Sequence, residues 1–206
     1  MRRWILLLLG LAISAPAWCQ DIVAVLERSQ SVRLAAMSVV PTESPRAVVV
    51  RGSFNELAQR FGSDKDMEVR VVTGSVIAEC LLGRTIVANE SLAELPEAVR
   101  LFLLAHEIGH VVLGHWHQLE QLYTKHIPGE VVQQHTDSIA GVLGREASQL
   151  SHAHELAADA FALQNLRLMG YDFDDVVGAF TQFGMQMDTA THPGTRKRIA
   201  HLRQVH

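Results

Sequence analysis

The chain has 206 residues, 48% hydrophobic and 19% charged, with a net charge of −4. That length and balance suit one folded domain and exclude a disordered chain. The acidic balance, with no basic patch or interleaved basic and aromatic residues, argues for no nucleic-acid partner.

The first stretch, MRRWILLLLGLAISAPAWCQ, carries two arginines, an apolar run and then small residues. It reads as a signal peptide over residues 1–19, cleaved before Gln20 or, by the alternative Ala15-Pro16-Ala17 site, before Trp18. Its apolar run is short for a membrane span and Pro16 sits near its end. No later run is long enough either, so no stable transmembrane segment is expected after cleavage, and the location expected is periplasmic or secreted. Loss of Arg2 and Arg3 would take the net charge to −6. Of the two cysteines, Cys19 would leave with the signal, and Cys80 reads as a lone buried thiol.

Residues 20–66 are expected as an N-terminal helical extension, and 67–206 as the catalytic core of a single domain. Within the extension, residues 21–38 show helical periodicity. The two prolines of VVPTESPRAVVVRGS suggest an irregular connection, and Ser53 with Glu56 suggests the capping box of a short helix. MEVRVV (67–72), SVIAECLL (75–82) and RTIVAN (84–89) read as three strands of a small antiparallel sheet, the last two separated by Gly83.

A long helix is expected next, with Pro96 in its first turn and apolar residues nearly all round, hence central. The more polar segment 123–146, interrupted by Pro128-Gly129, reads as loops with a short helix or as a mobile cover. Residues 151–170 read as a helix that Ser151 caps and Gly170 ends. Two further helices follow. Helices, a small sheet, then mostly helices is an α+β order.

The chemistry is concentrated in HEIGH (106–110). His106 and His110, four apart, share one helix face and can bind one ion, and Glu107 can reach a water held by that ion. Gly109 costs about 1 kcal/mol against alanine in a helix, so a close approach by another element is expected there. A catalytic zinc takes three protein ligands and keeps one position open. The metzincin spacing fails, because Leu113 and Trp116 stand where glycine and histidine are needed. HELAADAFA (154–162) offers Glu155 as third ligand, with Asp159 one turn on to hold the far nitrogen of a ligand histidine. One zinc ion per chain is expected. His152 and His154 read as exposed or near-site polar residues, and His115, His117, His126 and His135 as surface residues.

Three stretches, RTIVANESLAELPEAVRLFLLAHEIGHVVLGH, ELAADAFAL and THPGTRKRIAHL, occur in the order found in the HtpX and CAAX-prenyl-protease family of zinc metallopeptidases, which residues 67–205 resemble. The resemblance implies a mainly helical, zincin-like α+β metallopeptidase domain with a gluzincin site: His106, His110 and Glu155 on zinc, Glu107 as base and Asp159 behind a histidine. It also implies that THPGTRKRI returns to the site, where His192 stabilises the oxyanion or contacts substrate and Arg198 supports the site. Two departures stand out. Ile77-Ala78 replaces the Asn-Ala pair common in the strand before the motif, and the membrane-embedded or helical-repeat parts of many members have no counterpart here.

The activity expected is that of a zinc-dependent endopeptidase acting on envelope or secreted proteins, through a zinc-bound water activated by Glu107. The protein or peptide substrate is expected to lie extended beside residues 75–88, and the family suggests envelope-protein partners. The alternatives are a chaperone-like zinc protein that binds without turnover, and a latent protease whose open zinc position is taken by His126 or His135.

Overall fold

The computed structural model describes residues 21–61, 66–182 and 184–205. The signal-peptide reading of residues 1–19 lies outside them. Seven helices surround a three-stranded sheet among the described residues: α1 (Ile22–Ala35), α2 (Pro45–Arg60), β1 (Glu68–Val72), β2 (Ala78–Leu81), β3 (Thr85–Asn89), α3 (Glu97–Val112), α4 (His115–His126), α5 (Gln133–Leu168), α6 (Phe173–Gln182) and α7 (Thr195–Gln204). The chain is α+β and mainly helical, as its pattern predicts. No helix among the described residues is long and apolar enough to cross a membrane.

Asp21 caps α1 by accepting from the Ala24 N–H at 2.8 Å. The segment expected to be irregular is so only over residues 39–44, and its remainder is the first half of α2. Pro45 takes the first helical position, where no N–H is needed. Ala47, Val50, Phe54 and Leu57 then form one buried stripe, so packing overrides the strand preference of three successive valines. Ser53 is therefore mid-helix and no cap: it is buried and accepts from Arg100 Nε at 2.8 Å.

The sheet order is β1-β3-β2. β2 and β3 form the expected antiparallel hairpin. Its turn places Leu82 and Gly83 at φ 55° and 63°, and the Arg84 N–H donates to the Leu81 carbonyl at 3.2 Å. β1, however, pairs with β3 in parallel, so the sheet is mixed rather than antiparallel. Two chain reversals separate β1 from β3, which therefore run the same way. β3 is buried along its whole length because both faces are covered. On one face Ile86 and Ala88 join the main core with α2, α3, α5 and α6. On the other, Val72, Leu81 and Val87 pack against Leu34 of α1.

α3 is central, as its nearly continuous apolar surface predicts. It ends at Val112 because Gly114 turns left-handed (φ 69°), and the chain restarts as α4 rather than continuing as one long helix. Of the segment 123–146, expected as loops with a short helix or a mobile cover, residues 123–126 end α4, 127–132 form a loop, and the rest opens α5, a single helix of 36 residues. Its polar sequence hides a short apolar contact: Ile139 and Leu143 pack with Ile22 and Ile127. Ser151 thus lies inside the helix and caps nothing. Gly170, at φ 96°, ends this helix as expected.

Candidate metal centre

α3 and α5 cross where both helices carry small residues. A Cβ on Gly109 would stand 3.0 Å from Phe161 Cδ1 and 3.3 Å from Ala158 Cα. Glycine there allows the two helices to approach, which accounts for a helix-disfavoured residue between the histidines. The approach brings His106, His110 and Glu155 together, with one donor atom of each within 4.8 Å of the others. The Nε2 atoms of the two histidines are 3.1 Å apart. Each lies 3.4 Å from a different oxygen of Glu155.

The far nitrogens decide how those rings are protonated. Asp159 is fully buried, and its Oδ1 accepts from His106 Nδ1 at 2.9 Å. Arg198 of α7 clamps the same carboxylate through two bonds, at 2.7 and 2.6 Å. His110 Nδ1 faces His115 Nδ1 at 2.9 Å. If His110 donates there, both Nε2 lone pairs point at the same point in space, opposite a carboxylate. Glu155 Oε2 is buried there without a hydrogen-bond partner. Two lone pairs and an orphaned anionic oxygen cannot satisfy one another, whereas a divalent cation satisfies all three. These residues fit a zinc ion.

The electrostatics say the same. Burial works against a charge on His106, yet Glu155 and the hydrogen bond to Asp159 push its pKa up to about 10. The site thus demands a positive charge, and a proton supplies it in the absence of metal. Burial raises Glu155, but His106 and His110 together hold it well below the usual carboxylate range. Burial likewise raises Asp159, and the bonds and charges of Arg198 and His106 together more than reverse this.

His115 corrects the sequence reading most sharply. It is buried rather than on the surface, and its ring stacks on His154 at 4.0 Å and 7°. His154 in turn donates from Nε2 to Gln118 Oε1 at 3.1 Å. Burial, then the neighbouring His110 and His154, bring His115 down to about 3, so it stays neutral behind the ligand. Nothing in the HExxH spacing points to it. The signal that was available is Gly114, which ends α3 one residue earlier and folds His115 back. His117 is exposed, as expected. His126 faces α5 and donates to Glu146 at 2.9 Å, away from the cluster. The side chain of His135 lies outside the described residues.

Glu107 is buried and lines a cleft of about 600 Å³ with His106, His110 and Glu155. The edge strand β2 forms one wall and His192 part of the rim. The loop carrying His192 folds back on α7: the Thr195 N–H donates to the Gln186 carbonyl, and the Gly194 N–H to Asp188 Oδ1 at 2.7 Å. His192 is half exposed, with Nε2 3.6 Å from Glu155 Oε1 and Nδ1 held by the Thr191 hydroxyl at 2.8 Å. The structure therefore brings every residue of the expected site into one cluster: Glu107 and His192 at the cleft, the three candidate ligands, and Asp159 and Arg198 behind them. Sequence reasoning also missed Glu79, which faces the cleft from β2. Burial raises its pKa, Arg33 lowers it, and Glu107 raises it again.

The model of one protein family, described as peptidase family M48, matches residues 46–206. The match begins at the start of α2, leaving α1 outside it. No curated protein matches the chain.

Proposed function

The chain belongs to peptidase family M48, and from that premise we propose that it is a zinc-dependent endopeptidase that cleaves envelope or secreted proteins bound in extended form. The observation that carries the reading is the meeting of His106, His110 and the orphaned Glu155 oxygen beside the buried Glu107. A bound zinc ion supplies Lewis acidity, making a water acidic near neutral pH and polarising a carbonyl.

The remaining steps fall to the chain's own residues. His106, His110 and Glu155 would hold the ion, and the cleft they line would admit water and substrate. Asp159 fixes the His106 ring through Nδ1, and Arg198 neutralises Asp159 while also reaching Glu155 Oε2 at 3.8 Å. Glu107 takes the proton of the attacking water and later passes it to the leaving amine. His192, on the rim with Nε2 free of its Thr191 contact, donates to the oxygen that gains charge. The substrate pairs with the free edge of β2, so main-chain hydrogen bonds carry most of its affinity. The Ile77-Ala78 departure leaves this intact, since backbone groups do the pairing. The signal-like residues 1–19 support an envelope location and envelope-protein partners.

The test is hydrolysis of an unfolded protein such as casein by zinc-loaded protein, with and without a chelator. Cleavage that disappears on chelation and returns with zinc is the expected result. Binding of casein with no cleavage under either condition would replace this reading by the chaperone-like one.

A further inference from the structure

We infer that α1 limits how far a substrate strand can run along β2, with Gln30 as the residue that sets the limit. The inference rests on the reading of the cleft as a peptide-binding site, and it concerns substrate length and direction of extension.

The ladder of the sheet decides which groups β2 offers. The Asn89 N–H donates to the Ile77 carbonyl at 2.8 Å, which makes Ile77 and Asn89 a hydrogen-bonded pair. Alternation along the β2–β3 register then turns the N–H and C=O of Glu79 and Leu81 toward β3, and those of Ala78 and Cys80 toward the free edge. The next outward position is Leu82. Its N–H is already taken, donating to the side-chain Oε1 of Gln30. A pairing strand therefore finds two consecutive open positions on β2, Ala78 and Cys80, and a third that is occupied.

The occupying residue is held firmly. Leu34, one turn after Gln30 on α1, is buried against Val72, Leu81 and Val87 on the outer face of the sheet. Arg33 reaches over the edge to Glu79 Oε2 at 2.6 Å, and both Gln30 and Arg33 line the cleft. At the opposite end of β2 the path is shaped differently. Asn89 donates to the Gly74 and Val76 carbonyls at 2.9 and 2.8 Å, which fixes the loop leading into Ala78, and Ile77 beside it is exposed. Gln30 thus occupies the Leu82 end of the cleft, whereas Ile77 at the other end is exposed. The wall comes from α1, which lies outside the residues the family model matches.

The test uses zinc-loaded full-length protein and a series of peptides with one cleavage site, lengthened residue by residue on either side. Wild type is expected to gain in kcat/KM with each added residue on one side, and to stop gaining after about two on the other. Gln30→Ala frees the Leu82 N–H without disturbing a buried contact, and should let the truncated side gain a further factor of about 5–10, the worth of roughly one hydrogen bond. Gln30→Glu keeps an acceptor in place and should retain the wild-type length profile. The same plateau in Gln30→Ala as in wild type would overturn the inference while leaving the peptidase reading standing. No cleavage of any peptide by zinc-loaded wild type would overturn both.

Discussion

His110 and His115 face each other through their Nδ1 atoms at 2.9 Å, so each of the first two metal-facing histidines has a different partner behind it. His106 is held by a carboxylate, itself neutralised by Arg198, whereas His110 is held by a neutral imidazole stacked on another. The second arrangement orients the ring without adding charge. His115→Ala should therefore weaken zinc binding about 10–100-fold. Competition with a chromophoric chelator measures this, and unchanged affinity would contradict the assignment.

Asp159 is fully buried between a histidine and an arginine. Removing its charge leaves Arg198, in a largely buried setting, with only the Glu155 carboxylate at 3.8 Å to oppose it. Asp159→Asn should destabilise the protein by about 3–5 kcal/mol, read as a lower midpoint in urea. Asp159→Asn combined with Arg198→Met removes both charges and should recover part of that loss. A double variant less stable than Asp159→Asn alone would show that the pair is not coupled as described.

Gly109→Ala sets two effects against each other. Alanine favours a helix by about 1 kcal/mol over glycine, but its Cβ would meet Phe161 and Ala158 at 3.0 and 3.3 Å. Alanine has no rotamer to turn aside, and the Ala158 contact is backbone, so α3 and α5 must part. The net effect expected is destabilisation by about 1–2 kcal/mol together with weaker zinc binding. A stabilised variant would mean the helices have room.

The metal-free protein should be most stable near pH 6.5. His106 binds its proton more tightly folded than unfolded, so its contribution is complete below 6.5 and is lost as pH rises toward about 10. His115 and His154, lowered to about 3 and 4 mainly by burial, refuse protons that the unfolded chain accepts, so stability also falls as pH drops below 6.5. Depressed Glu155 and Asp159 add to the acid loss. Zinc takes the place of the His106 proton and should abolish the alkaline decline. Thermal unfolding of chelated and zinc-loaded protein from pH 5 to 10 checks this. An alkaline decline of equal size in both would contradict it.

The clustering of the candidate ligands is legible in the sequence because helix geometry is rigid: residues four apart share a face wherever the helix lies. His106 and His110 needed nothing more, and Glu155 with Asp159 repeats the same spacing on a second helix. Gly109 announced the helix crossing by being costly without it. What failed were inferences that depend on tertiary partners. Ser53 has the sequence of a cap, but the stripe from Ala47 to Leu57 extends the helix past it. The polar run before Ser151 is helical because Ile139 and Leu143 find Ile22 and Ile127 far away in sequence. The parallel pairing of β1 with β3 has no local signal at all. His115 was hidden because its role arises where one helix ends and another begins.

The central claim is that Glu107 is the proton carrier beside a zinc held by His106, His110 and Glu155. Glu107→Gln keeps the size and hydrogen-bonding capacity of the side chain and removes only its basicity. Peptide hydrolysis and bound zinc, measured on the same preparation of this variant, test the claim most directly. One zinc per chain, as in wild type, is expected, with cleavage reduced at least about 100-fold. Cleavage at the wild-type rate by zinc-loaded Glu107→Gln would contradict it.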